Sequence, residues 1–177
     1  MRTNGHDIIE AIRENPEKGF RLLMSGYGEA VYWHIRRLVV SHDDAQDAAQ
    51  ETFIRIFRAI GTVGRGTSFA AWVYRIATNE ALRLLERRKA EREGMESAAD
   101  TFPETDSYVD YSDLEAVKLQ RAILSLPHKQ QVTFNLRYYD EMTYEEIAEA
   151  TGSTTGGAKA NYHAAKEKII RYMNEND

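Results

Sequence analysis

The chain has 177 residues, 42% of them hydrophobic and 29% charged, and it contains no cysteine. That length allows one ordinary domain or two small ones, and the missing cysteine excludes disulfides and thiolate metal sites. The formal net charge of -5 argues against a chain that is basic throughout, so any nucleic-acid footprint must be local.

The first twenty residues carry charges throughout and lack an apolar segment, so no signal peptide is expected. No apolar run approaches the roughly 20 residues that a membrane span needs, and the expected location is the cytoplasm. The charge is strongly patterned. From Arg55 to Arg92 the bases are Arg55, Arg58, Arg65, Arg75, Arg83, Arg87, Arg88, Lys89 and Arg92, against Glu80, Glu86 and Glu91 alone. From Glu93 to Glu115 the order reverses, with acids and no base. A basic block abuts an acidic one.

In chain order, residues 17–40 place Phe20, Leu23, Met24, Tyr27, Val31, Ile35 and Leu38 at a helical period, with Gly26 and Gly28 weakening its middle. A second helix is predicted from about Ser41, capped by Ser41 or Asp43. Its stripe is Ala45, Ala49, Phe53, Ile56, Phe57 and Ile60, and Gly61 is its stop. A third runs from about Ser68 to Arg92 and buries Phe69, Trp72, Val73, Ile76, Ala77, Ala81, Leu84 and Leu85. Tyr74, Arg75, Thr78, Asn79, Arg83 and Arg87 fall largely off that stripe. The intervening GTVGRGTS, residues 61–68, has glycine spacing close to that of a phosphate-cradling loop. It lacks the lysine and follows a helix rather than a strand, so nucleotide binding is rejected there.

Residues 93–112 are acidic, aperiodic and contain Pro103, the composition of a linker that cannot bury enough apolar area to offset its ordering entropy. The expected fold is therefore all-α. Two small helical domains, residues 1–92 and 113–177, are joined by an acidic flexible linker, residues 93–112. The second domain resumes with a helix stopped by Pro127. It closes on TYEEIAEATGSTTGGAKANYHAAKEKI, which reads as a helix-turn-helix. Thr143 and Glu146 form a capping box, Gly152 supplies the positive φ of the turn, and Thr154 can cap the second helix. The buried face of that helix is Ala158, Tyr162, Ala165 and Ile169, leaving Lys159, Asn161, His163 and Lys166 wholly or partly outside. An amphipathic hairpin would satisfy the same pattern. Gly156-Gly157, costing on the order of 1 kcal/mol each relative to alanine, makes more sense where backbone approaches a phosphate.

These pieces in this order resemble a bacterial RNA polymerase sigma factor of the extracytoplasmic-function type, over roughly residues 20–92 and 113–172. The resemblance rests on DDAQDAAQETF (43–53), FAAWVYRIATN (69–79), Leu126-Pro127, Leu136-Arg137-Tyr138-Tyr139 and Tyr144-Glu145-Glu146-Ile147-Ala148. It implies a transcription initiation factor that is not an enzyme and needs no cofactor or metal. Such a factor binds core RNA polymerase through the clamp helices and flap, recognises −10 and −35 promoter elements, assists melting, and is commonly held by an anti-sigma factor.

By the same resemblance, the polymerase-docking surface lies at Asp47, Gln50 and Glu51. The loop Thr62, Val63, Gly64, Arg65, Gly66 and Thr67 would cradle an extruded base of the non-template strand, with Arg65 for a phosphate. Tyr74, Arg75, Asn79, Arg83 and Arg87 would complete the −10 contacts, while Trp72 is read as core first and stacking wedge second. Thr155, Gly156, Lys159, Asn161, His163 and Lys166 would meet the −35 element. The linker would thread a basic channel of the polymerase. Three departures stand out: Asn161 and Ala164 where arginines are frequent, Gly157 where threonine is common, and Glu80 beside the DNA-facing Asn79. A stand-alone helix-turn-helix regulator with an N-terminal sensing or dimerisation domain is the alternative, though it gives no reason for residues 43–53. Five scattered histidines without metal spacing give no support to an enzyme.

Overall fold

The computed structural model describes residues 3–94, 110 and 112–175, and these form eight α-helices and one 3-10 turn with no strand. The helices are α1 (Gly5–Glu14), α2 (Pro16–Val39), α3 (His42–Ala59), α4 (Phe69–Glu93), α5 (Leu114–Leu124), α6 (His128–Tyr138), α7 (Tyr144–Thr151) and α8 (Thr155–Glu175). The 3-10 turn, Ile60–Thr62, follows α3. The all-α expectation holds. Of the expected acidic linker, all but Glu93, Gly94, Asp110 and Ser112 lies outside the described residues.

Local chemistry sets the helix ends. Asn4 caps α1 by accepting from the His6 N–H, and Asn15 ends α1 while capping α2 through the Lys18 N–H at 3.1 Å, with Pro16 at the first helical position. Ser41, rather than Asp43, caps α3 through the Asp44 N–H, and Ser68 caps α4 through the Ala71 N–H at 3.2 Å. Between α2 and α3 the chain reverses at Val40, whose φ of 67° is unusual for a β-branched residue. The Ser41 N–H bonds to the Val39 carbonyl at 2.8 Å, making a tight three-residue turn of the strained hand. Burial of the Val40 side chain helps hold it there.

The core of the first half is built by Leu23, Tyr27, Val31, Ile35 and Leu38 of α2 against Ala45, Phe53 and Ile56 of α3 and Phe69, Val73, Ala77 and Ala81 of α4. Helix α1, for which no helix was predicted, closes one side with Ile8 and Ile12. Gly19 admits it: a Cβ there would fall 2.4 Å from the Ile12 backbone and side chain.

Several details differ from the sequence expectation. Helix α3 ends at Ala59, and Gly61 sits inside the 3-10 turn instead of stopping the helix. The α3 stripe is turned toward Ala45, Ala48, Thr52, Phe53 and Ile56, because the buried Thr52 hydroxyl satisfies itself on the Ala48 carbonyl at 2.7 Å. Phe57 is left 38% exposed. On α4, Tyr74 and Thr78 are buried, whereas Trp72, Ile76 and Leu85 are only partly covered.

The second half explains that rotation. Its helices have two apolar sides. Ala122, Ile123, Leu126, Phe134, Ala165 and Ile169 form their own cluster between α5, α6 and α8. Val132, Leu136, Met142, Ile147, Ala150 and Ala158 instead join the core of the first half. Helix α7 lies on α4, which α2 and α3 already pack against, while α6 lies against α2.

Candidate nucleic-acid interface

Helices α7 and α8 form the helix-turn-helix through local bonds. Thr143 accepts from the Glu146 N–H at 3.2 Å, and the Glu146 carboxylate accepts from the Thr143 N–H at 2.9 Å, completing the capping box. Gly152 leaves α7 at φ 66°, and the Ser153 N–H closes on the Ala148 carbonyl at 3.0 Å. Thr154 then caps α8 through the Gly157 N–H at 3.0 Å.

Thr155, Gly156, Lys159, His163 and Lys166 are exposed and share one side of α8, at spacings that bring them into a stripe. Nothing lies within 4 Å of the place a Cβ would take on Gly156, so the backbone there is open to approach. Lys166 holds its ammonium over the Tyr162 ring, 5.7 Å from its centroid, and that ring stacks on Phe134 at 5.9 Å. Asn161, half-buried, lies on the opposite edge of the buried stripe and is not brought together with the others.

A second exposed row runs along α4. Arg75, Asn79, Arg83 and Arg87 recur every four residues and all face solvent. The loop before α4 is exposed at Thr62, Gly64, Arg65, Gly66 and Thr67, with Val63 half-buried. Gly66 takes φ 84°, the Thr67 N–H bonds to the Gly64 carbonyl at 3.3 Å, and the Thr62 hydroxyl donates to the Ala59 carbonyl. The loop thus follows a helix and a 3-10 turn, which agrees with the rejection of a nucleotide loop.

Tyr74 does not stand with that row. Its side chain is 1% exposed and its hydroxyl donates to Asp140 Oδ1 at 2.8 Å, in the turn after α6. His34 packs edge-on to the Tyr74 ring, bonds Thr78 Oγ1 through Nε2 at 2.8 Å and brings Nδ1 to 3.7 Å from Asp140 Oδ2. At the start of α4 the Ser68 N–H donates to Glu149 of α7 at 3.0 Å. Arg37 stacks over the Tyr139 ring at 4.0 Å; burial raises the Tyr139 pKa, and the Arg37 charge partly offsets this. In this arrangement the helix-turn-helix covers one side of α4.

On α3, Asp47 and Gln50 are exposed and Glu51 is half-buried against Arg55 at 3.0 Å. The same side continues into an open apolar groove lined by Pro16, Glu17, Phe20, Ile54, Phe57 and Arg58, with Phe20 and Phe57 meeting edge to face at 6.0 Å. Sequence reasoning placed Phe57 in the core and so missed this groove. The available signal was an aromatic ring at the margin of the α3 stripe, beside the polar face of Asp47, Gln50 and Glu51. Near the end of α4, Asp44 pairs with Arg88, whose guanidinium is held further above its usual range by hydrogen bonds to Asp44 and Glu91. Among the described residues no group of three or more His, Asp or Glu is arranged for a metal, and no helix is long and apolar enough to cross a membrane.

Comparison with known proteins gives a consistent result. Residues 23–91 match the Sigma-70 region 2 family, and residues 116–169 match Sigma-70 region 4. The chain is 30% identical to the ECF RNA polymerase sigma-E factor of Salmonella typhimurium, covering 92% of this chain and 90% of that protein. It is 28% identical to the RNA polymerase sigma-H factor of Pseudomonas aeruginosa, covering 94% and 92%. It is 27% identical to the ECF sigma factor SigW of Bacillus subtilis, covering 94% and 95%. Among solved structures, the fold is similar to CnrH in complex with the cytosolic domain of CnrY, with TM-score 0.74, 16% identity and coverage of 96% and 97%. It is also similar to the sigma factor RpoE bound to the anti-sigma factor NepR from Bartonella quintana, with TM-score 0.72, 20% identity and coverage of 90% and 99%. The helix-turn-helix, the basic row on α4 and the two matched regions agree: the chain belongs to the ECF sigma factors, the promoter-recognising transcription initiation factors of bacterial RNA polymerase.

Proposed function

We propose a division of labour between two modules, residues 1–92 and 113–177. The first docks on the clamp helices of core polymerase through Asp47, Gln50 and Glu51, with the apolar Phe20–Phe57 groove beside them. A polar rim around an apolar patch suits an interface that must form and separate. The loop from Thr62 to Thr67 receives an extruded non-template base. Arg75, Asn79, Arg83 and Arg87 hold the −10 strand, by phosphate contacts from the arginines and a base-edge contact from Asn79. Tyr74 joins them once the second module leaves it.

The second module reaches the flap and reads the −35 element through Thr155, Gly156, Lys159, His163 and Lys166, with Asn161 at the margin. Asn161 and Ala164 stand where the family often has arginines, so phosphate contacts are few and the salt dependence shallow. The protein works without catalysis, in the cytoplasm. An anti-sigma protein is its expected counterpart, by analogy with the NepR complex of a protein with a similar fold.

The observation that carries this reading is the pair of exposed polar and basic helix faces, one on α4 and one on α8, in separate modules. Run-off transcription from a promoter pool, with salt-titrated DNA binding in the presence and absence of core polymerase, tests it. Promoter-specific binding is expected only in the complex; tight, specific binding by the chain alone would overturn it.

A further inference from the structure

Glu80 is the acidic residue that the basic row of α4 encloses. Its side chain is only 9% exposed, and two guanidinium groups converge on one of its oxygens. Arg55 Nε reaches it from α3 at 2.7 Å, and Arg83 Nη1 reaches it from the next turn of α4. The Arg55 Nε–H donates to Glu51 Oε1 at 3.0 Å, so this guanidinium hydrogen-bonds Glu51 while it stands in ion-pair contact with Glu80. Glu51, Arg55, Glu80 and Arg83 therefore form one line of alternating charge from the α3 surface to the α4 row. Its middle is buried at Glu80 and its ends, Glu51 and Arg83, are 44% and 57% exposed.

The sharing has a direction. A guanidinium between two carboxylates can aim its single Nε–H at only one of them, and two guanidinium groups drawn to one carboxylate oxygen compete for it. Taking either end away strengthens the centre and loosens the other end.

We propose that Glu80 is a positioning residue that couples polymerase docking at Glu51 to DNA contact at Arg83; this rests on the assignment of those two ends above. When a cation of the polymerase takes Glu51, the Arg55 Nε–H turns from Glu51 to Glu80. Glu80 then holds Arg83 less, and the guanidinium is released to a phosphate. In the free chain Arg83 stays on Glu80. Linkage makes the effect reciprocal: DNA that draws Arg83 away leaves Glu80 to Arg55 and frees Glu51 for the polymerase. The charge that looked misplaced beside Asn79 faces inward, and its role is to gate the arginine next to it.

The test uses the full chain. Promoter-fragment affinity of the polymerase complex is measured for Glu51→Gln, Arg83→Gln and the double variant, on native and Arg55→Gln backgrounds. The two substitutions are expected to be non-additive by about threefold in the native chain and additive without Arg55, the scale of exposed ion pairs. In the free chain, the guanidinium NMR signal of Arg83 is expected to shift on Glu51→Gln, although the two side chains are not in contact, with circular dichroism confirming the fold. Additivity in the native chain, or an Arg83 signal indifferent to Glu51, overturns the coupling even where each single variant weakens its own partner. An Arg83 signal that responds while Glu51→Gln leaves polymerase affinity intact overturns the docking assignment, and the coupling with it.

Discussion

Lys159 stands on the second turn of α8 with its ammonium group in water, on the stripe that also carries His163 and Lys166. A lysine that neutralises one phosphate contributes about 0.9 to the slope of log affinity against log salt. Lys159→Ala is accordingly expected to lower −35-dependent transcription more than −10 opening and to reduce that slope by about 0.9. Equal loss at both steps would argue against the division between modules. On α3, Asp47→Ala with Glu51→Ala is expected to weaken polymerase binding by roughly fivefold, on the order of 1 kcal/mol, as for other truncated interface side chains. Neither side chain is in the core, so helicity by circular dichroism should be unchanged, and unaltered affinity would remove the assignment. Most residues of the α4 row were legible singly, because arginines off an apolar stripe have few other places to go. Tyr74 was not: an amphipathic ring reads as surface or core depending on what covers it, and here Asp140 of the other half supplies the partner for its hydroxyl.

At the scale of elements, the helix-turn-helix was readable in detail because its bonds are local. The capping box, the left-handed Gly152 and the Thr154 cap each span a few residues, and each takes the predicted form. Thr143→Ala should cost about 1 kcal/mol of stability through the lost cap. Gly152→Ala should cost about 1–2 kcal/mol through its positive φ. Both are measurable by urea unfolding. Wild-type stability in Gly152→Ala would mean that the turn is not held in the left-handed region. Helix α1 carried comparable signals, an Asn4 cap, Ile8 and Ile12 one turn apart, and an Asn15-Pro16 break. The period of so short a segment is hard to separate from chance, so its docking on Gly19 emerged only in three dimensions. The face of α3 was misjudged for a related reason: periodicity names a stripe of about the right width, but whether Thr52 or Phe57 is inside depends on the neighbours.

At the scale of the whole molecule, the two halves are closed on each other. Tyr74, Asp140, His34 and Thr78 meet inside the contact, while Ser68 with Glu149, and Arg37 with Tyr139, flank it. Much of this surface is polar. Helix α6, facing α2, buries Asn135 with both amide atoms unpaired and Gln131 with its Nε2 unpaired. Each such group costs about 1–3 kcal/mol and would recover water if the halves parted. By the assignment proposed above, parting the halves is what would bring the covered Tyr74 to the promoter. Asp140→Ala removes the Tyr74–Asp140 hydrogen bond from the closed form and should shift the balance toward opening by about tenfold, a charge-assisted hydrogen bond being worth roughly 1.5–3 kcal/mol. The chain has no cysteine, so labels at Glu86→Cys and Lys168→Cys, both exposed positions, report the separation directly. An unchanged distance distribution in Asp140→Ala would show that this bond does not hold the halves together.

The sequence by itself determined the helical class, the helix-turn-helix with its caps and turn, the family, and the basic row on α4. All of these follow from periods, end signals and motifs that span at most a few turns of chain. Which side of α4 is covered, why Glu80 is sheltered between Arg55 and Arg83, and how the halves meet were decided only by tertiary structure. Those outcomes depend on partners far apart in the chain, such as Arg55 with Glu80 and Tyr74 with Asp140. A stripe of apolar residues specifies that a helix must be buried; only the surfaces brought against it specify by what.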